Sequence, residues 1–153
     1  MIRQRLPQQL CGAALAIPYR KGTPIQFCVL HRSDHDQWQF VAGGGEDAEK
    51  PAEAAIREIY EETGIQVDNI TTLQSMAYIP ADIISEHHRK HWAKDTYVLP
   101  EYSFAFECIS DINLSDEHLD CDWLSYEEAM ARLTWDSNKT ALYELNCRLS
   151  AEK

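Results

Sequence analysis

No apolar run in this 153-residue chain approaches the roughly 20 residues needed to span a bilayer, which argues against a membrane partner. No Pro-, Gly- or Ser-rich tract is long enough to serve as a linker, and no internal repeat or low-complexity segment occurs. Residues 1–153 therefore read as a single domain, long enough to bury roughly 70% of the surface its unfolded form exposes. Positive charge is scarce: 14 Lys and Arg against 25 Asp and Glu leave a formal net charge of −11. A chain with that field does not seek nucleic acid or an anionic membrane, so an anionic substrate must be met by a bound cation or a local basic patch. There is no C-x-x-C, and the five cysteines, Cys11, Cys28, Cys108, Cys121 and Cys147, are odd in number. Cys11, Cys28 and Cys108 lie in apolar runs, so buried reduced thiols in a cytoplasmic protein are expected, not a disulfide framework. The absence of G-K-[ST] excludes a Walker P-loop. Arg3 and Arg5 precede "LCGAALAI", a run too short for the apolar core of a secretion signal, which reads instead as the first core strand.

What is present is a mixture of strand and helix patterns. "CGAALAIPY" and "IQFCVLHR", separated by the turn-like "RKGTP", predict a hairpin. "WQFVA" predicts a short third strand leading into three consecutive glycines. A helix follows, with Pro51 suited to its first turn, Glu53 to its positive end and Gly64 to its C-terminal cap. "IQVDNITTLQSMAYI" reads as one or two strands with a turn at Asp68-Asn69, and the polar stretch 80–100, rich in His and basic residues, carries no decisive pattern. "YSFAFECI" and "CDWLS" read as strands, "YEEAMARL" as a short helix and "SNKTALYELNCRLSAEK" as a final amphipathic helix. The irregular alternation favours an α/β (α+β) fold, a mixed sheet covered by helices, over a doubly wound parallel sheet.

The helix after the glycines raises a question of charge. At about 100° per residue, Ala52, Ala55, Ile56, Ile59 and Thr63 fall on one side. Glu58, Glu61 and Glu62 share the other, with Arg57 beside Glu61. Three ionised carboxylates so close raise one another's pKa unless a cation sits among them, and hard oxygen donors select Mg²⁺, Mn²⁺ or Ca²⁺ over zinc. Mg²⁺ also pairs with substrate phosphates. A solvated helix face would carry the same glutamates, but such a face does not need Gly43, Gly44 and Gly45, which allow close backbone approach. The same glycines formally match G-x-G-x-x-A, a dinucleotide-binding fingerprint, with Asp68 downstream. There a pyrophosphate would meet Glu46, Asp47 and Glu49, and the glycines follow the third predicted strand, not the first.

Gly43, Glu49, Arg57-Glu58-Ile59, Glu61-Glu62 and Gly64-Ile65, at their observed spacing, resemble the box of the Nudix hydrolases at every specified position. That resemblance implies an α/β/α sandwich and hydrolysis of a diphosphate linkage with Mg²⁺ or Mn²⁺. It implies that Glu58, Glu61 and Glu62 bind metal or activate water, that Arg57 pairs with Glu49, and that the carbonyl of Ala42 adds a ligand. A looser similarity covers most of the chain. "LHRSDHDQWQF", "RKHWA", "SDEHLDCDWLS" and "LTWDSNKTAL" resemble the dihydroneopterin triphosphate diphosphatases, in which the glutamate of the "EH" pair, here Glu117, adds a metal ligand.

On this reading the substrate is a small phosphorylated molecule, a pterin or nucleoside triphosphate or a dinucleoside polyphosphate, and Glu61 or Glu117 takes the proton from the attacking water. Gly43 and Gly44 approach the substrate, Arg32, Arg89 and His91 contact phosphate, and Trp38 stacks on a ring, although each has an ordinary solvated or packing reading as well. His87, His88 and His91 could bind zinc, but lack a partner Cys or carboxylate pattern. A non-catalytic ligand-binding module is the rival from another class; such modules typically lose box glutamates, and all are present here. A monomer or homodimer is expected.

Overall fold

The computed structural model describes residues 12–152 except 47, 85 and 91, and omits the side chains of residues 87 and 88. The expectations placed on Cys11, on the N-terminal arginines and on His91 lie outside the described residues. Strand β1 (Ala13–Arg20) is the centre of the molecule, and seven of its eight residues are buried. A strand covered on both faces must be apolar on both, and it is: Leu15, Ile17 and Tyr19 face one layer, Ala14 and Ala16 the other.

Around it lie β2 (Gln26–Arg32), β3 (Trp38–Gln39), β4 (Val41–Gly44), β5 (Thr71–Pro80), β6 (Val98–Glu107) and β7 (His118–Leu124), in one mixed sheet. Strand β6 runs parallel to β1, from Ala13↔Glu101 to Tyr19↔Glu107. The other edge of β1 is shared. Strand β4 pairs with its first half and β2 with its end, both antiparallel. This sharing divides the single strand expected at "WQFVA". Trp38 and Gln39 pair with β2 and Val41 with β1, so the ladder breaks at buried Phe40, whose N–H donates to Asn138 Oδ1 instead (2.9 Å).

Helix α1 (Pro51–Thr63) packs Ala54, Ala55 and Ile59 on one face of the sheet, against Ala14, Ala16, Leu30 and Phe104. Helices α3 (Tyr126–Arg132) and α4 (Asp136–Ala151) cover the other through Ala129, Leu133, Leu142, Leu145 and Leu149. The result is the expected α/β/α arrangement. One expectation needs correction. Residues 65–70 are not strand; Ile65, Val67 and Ile70 cap the α1-side core from a loop, and β5 begins only at Thr71. The unassigned stretch forms a 3₁₀ turn (Ala81–Ile83) and a one-turn helix α2 (Glu86–Arg89) before β6 begins. No helix among the described residues is long and apolar enough to cross a membrane.

Strand β5 is an edge strand whose pairing with β6 slips between Thr72 and Met76. The slip would orphan backbone donors. Glu144 of α4 meets them: its carboxylate accepts from the N–H of Gln74 (2.7 Å) and Ser75 (2.8 Å), from Ser75 Oγ (2.7 Å) and from Arg148 Nε (2.8 Å). Burial works against the charge, but these donors hold its pKa down to about 2. Glu144→Ala should lower unfolding stability by about 1–3 kcal/mol at neutral pH. A depressed carboxylate stabilises the fold above its ordinary value of 4.5 and loses that effect as pH falls toward 2. Urea unfolding of both proteins should therefore show the difference narrowing below pH 4.5.

Candidate active site

Helix α1 has the start and stop its sequence specifies. Pro51 opens it, the Lys50 N–H donates to Glu53 Oε1 (2.8 Å), and Gly64 ends it in the left-handed region (φ 76°) with its N–H on the Tyr60 carbonyl. The two-sided split expected for the helix does not hold. Buried positions are Ala54, Ala55, Glu58, Ile59, Glu62 and Thr63, while Ala52 and Ile56 are only half-buried. The buried arc is rotated, so that it runs through two of the glutamates and leaves Glu61 on the rim. The reason lies in β4. A Cβ on Gly43 would land on the carboxyl group of Glu58, and one on Gly44 would press on Ile84 Cδ1 at 3.1 Å. Helix and strand approach closely because Gly43 has no side chain there.

Arg57 ties loop, strand and helix together. Its Nε and Nη2 donate to the two oxygens of Glu49 (2.8 and 3.0 Å), and Nη2 also donates to the Gly44 carbonyl (2.9 Å). Its Nη1 reaches Glu58 Oε2 (2.9 Å) and Glu61 Oε1 (3.1 Å). Glu49 in turn accepts the Glu46 N–H at 2.8 Å. The Arg57 guanidinium holds the Glu49 carboxyl below its ordinary range, and Glu49 raises Arg57 in return. This is a forked, partly covered ion pair, stronger than an exposed one.

Behind the clamp the charges are less well matched. Glu62 is 1% exposed. Its Oε1 accepts a long bond from the Ala42 N–H (3.4 Å), and its Oε2 has no partner. Burial, then the charge and proximity of Glu58, then Glu117, push its pKa well up, and burial also raises Glu58. Burial thus favours the protonated form of both acids. His118 is the feature that sequence reading missed. It is buried, with neither ring nitrogen hydrogen-bonded, and its Nε2 stands 3.8 Å from Glu62 Oε1. Burial and the Arg32 charge pull its pKa down to about 4, so at neutral pH the pair is a neutral imidazole beside a carboxyl group, not a salt bridge. The "EH" pair was a signal for this position, but it was read only for Glu117.

Glu117 is exposed, and its carbonyl accepts from the Ser33 N–H (2.8 Å), which anchors the turn before β7 beside the end of β2. Arg32 pairs with Asp34 (2.6 Å) and feels the charges of both Glu117 and Glu62. The fold thus brings Glu58, Glu62, Glu117, His118 and Arg32 into one neighbourhood. Trp38 does not join them: it stacks on His31 (4.4 Å between centroids) and carries the Arg132 guanidinium at 4.6 Å, so its ring is already used in packing. Arg89 donates from Nε to the Ile84 carbonyl (2.7 Å), in the segment that covers Gly44.

Among the described residues, no three His, Cys, Asp or Glu side chains stand ready-made around one point as a metal cage, and Glu61 is turned to Arg57. A divalent cation nevertheless fits the donors present. A buried carboxylate oxygen without a partner, beside a second buried carboxylate, is short of positive charge. Glu62 and Glu58, with Glu117 at the mouth, are the groups able to hold it.

Known proteins resemble this chain in sequence and fold. A family model described as NUDIX domain matches residues 10–145. The chain is 30% identical over 140 residues to a dihydroneopterin triphosphate diphosphatase from Haemophilus influenzae, covering 89% of each. Among solved structures, a chain from Listeria monocytogenes described as a NUDIX hydrolase superposes with a TM-score of 0.78 at 46% identity, over 92% of this chain and 95% of that one. The dihydroneopterin triphosphate pyrophosphohydrolase of E. coli superposes with a TM-score of 0.72 at 27% identity, over 90% and 97%.

The buried acids set two expectations. Glu62 has a raised pKa, so its favourable contribution is complete below its ordinary value of 4.5 and is lost as pH rises through the raised one. In chelator, the wild type should lose stability as pH rises above 4.5, and Glu62→Gln should flatten that slope, as read by thermal unfolding. Gly43→Ala should cost about 1–3 kcal/mol in urea unfolding, because the new methyl displaces Glu58.

Proposed function

The chain belongs to the Nudix family and is a hydrolase of phosphoanhydride bonds; from that premise we propose that residues 1–153 act as one domain on a pterin or nucleoside triphosphate, dihydroneopterin triphosphate first among them. The supporting observation is the buried Glu62 carboxylate, whose Oε2 lacks a hydrogen-bond partner beside a second buried carboxylate, Glu58. The family generally uses divalent cations. Here Glu58, Glu62 and Glu117 would hold Mg²⁺ or Mn²⁺, with the Ala42 carbonyl as a further ligand, and the cation would neutralise phosphate oxygens and lower the pKa of water.

The chain's own residues supply the rest. Arg57 is a positioning residue: it holds Glu58 and Glu61 on one side and Glu49 and the Gly44 carbonyl on the other, so the glycine strand cannot drift from the helix. Glu61, half-exposed on the rim, is placed to take a proton from water; Glu117 is the second group open to solvent there. The imidazole of His118, kept neutral, covers the inner side of Glu62 and excludes bulk water without adding a competing charge. Arg32, beside Glu117 and Glu62, supplies positive charge for a phosphate, in a molecule that has little. Gly43 and Gly44 leave the strand bare where the substrate arrives. The substrate preference rests on the similarity to the Haemophilus influenzae diphosphatase along 89% of the chain.

The test is release of phosphate and pyrophosphate from a panel in Mg²⁺ and Mn²⁺: dihydroneopterin triphosphate, nucleoside triphosphates, dinucleoside polyphosphates and sugar nucleotides. Turnover on the first is expected, and Glu62→Gln should reduce it by about 10²-fold or more with circular dichroism unchanged. Binding without turnover across the panel would instead make the protein a ligand-binding module, and a preference for dinucleoside polyphosphates would move the substrate assignment.

A further inference from the structure

Strand β5 ends the sheet, and one side of it is bare. Helix α4 packs on β5 from one side, while α1, on the other, lies chiefly over β1 and β4. On the α1 side the strand pairs Met76↔Tyr102, Tyr78↔Pro100 and Pro80↔Val98 form a ladder. Residues directly opposite share a face, and Tyr102 packs on the α1-side core, which fixes the side. Met76 is 47% exposed, Tyr78 65% and Val98 53%. Three ranks of apolar side chains thus stand largely uncovered among the described residues.

The ladder carries no formal charge. Residues 71–80 hold no Asp, Glu, Lys or Arg, in a chain where such residues make up 25%. Glu101 of β6 turns the other way: its register partner is Ala77, on the α4 side, and it is buried there with Oε1 unpartnered. An edge strand is ordinarily defended by lysines, inward charges or a covering segment. Strand β5 has no such charge, and its one proline, Pro80, is its last residue.

Size narrows what can cover it. From Met76 to Pro80 the ladder runs about 14 Å along the strand, longer than a single heterocycle. By their exposed fractions its side chains present on the order of 500 Å² of apolar surface, within the range of functional patches. A standard interface buries about 800 Å² per partner, of which about 60% is apolar. The ladder therefore has the extent of the apolar part of one protein interface.

Charge selects the partner. At a net −11, two copies repel wherever acids face acids, so they can meet only where charge is absent. A basic partner would be drawn to the acids instead, and this face offers it none. A ladder that is apolar at every rank also matches itself after a half-turn, as a two-fold interface requires. We propose that a second copy of this chain lays its own β5–β6 face on this one about a two-fold axis, with Tyr78 at the middle rank. This pairing is independent of which substrate the carboxylate site takes.

Sedimentation velocity of the full chain, across protein and NaCl concentrations, tests the pairing. The mass should rise with protein concentration from 17.6 kDa toward twice that value. Salt screens the repulsion between two acidic copies, so the dimer fraction should grow as NaCl is raised. Tyr78→Glu and Met76→Glu each place an acid at an exposed position of the face, and each should weaken the dimer at least about tenfold. Circular dichroism checks the fold of both, and either one suffices if the other does not fold. Tyr143→Glu, at an exposed position of α4, should leave the dimer unchanged. A monomer at every concentration up to about 200 µM in high salt would overturn the pairing. If Tyr78→Glu then raised KM for triphosphates, the face would belong to the substrate instead. A dimer that survives both substitutions, or one that added salt dissociates, would place the interface elsewhere and overturn it equally.

Discussion

A carboxylate pressed against bare backbone is the constraint from which the site follows. Glu58 occupies the space over Gly43 that any side chain would claim, and this contact draws α1 onto β4. Once the helix is seated that deeply, Glu62 is buried with Glu58, two acids on one covered helix face. Arg57 makes the seat rigid. Its five donors are spent on Glu49, Glu58, Glu61 and the Gly44 carbonyl, so loop, strand and helix move as one. The cost is an unpaired carboxylate oxygen, a state that folding alone would not favour.

The second organising element is the shared edge of β1. Because β4 takes its first half and β2 its end, a single chain segment must switch partners at Phe40. That switch sends the glycine strand toward α1 while β2 continues to β7, and it leaves the end of β2, with Arg32, beside the turn carrying Glu117 and His118. The site is thus assembled at a divergence of strands. The same row of residues runs across the sheet from Gly44 through Ala13 to Glu101 and Ala77.

Much of this was legible in the residues. Caps and turn formers located α1 within a residue at each end, since Pro51 and Gly64 act locally. The two-layered burial of β1 was visible in its unbroken apolar run. The helix face was misjudged because periodicity counts glutamate as solvent-facing, and only the missing Cβ of Gly43 makes room for Glu58 inside. Trp38 had two readings, ring stacking and packing, and the structure shows the packing one, with His31 and Arg132 using its ring. His118 had a neighbour that drew attention and no pattern of its own. Glu101 carried no signal at all, being a lone acid in an aromatic strand, and its lack of a partner exists only in three dimensions.

The chain by itself determined the kind of chemistry available: a surplus of acid, glycines before an acidic helix, and an arginine spaced to meet the loop. Those are short-range facts, set by neighbours within a turn or two. Tertiary structure decided which acids are buried, which are paired and which are left wanting. Burial and local charge depend on what arrives from distant parts of the chain: His118 from β7 and Arg32 from β2. A pattern along the sequence names the groups, but only the packing of remote segments sets the dielectric around them, and with it their charge.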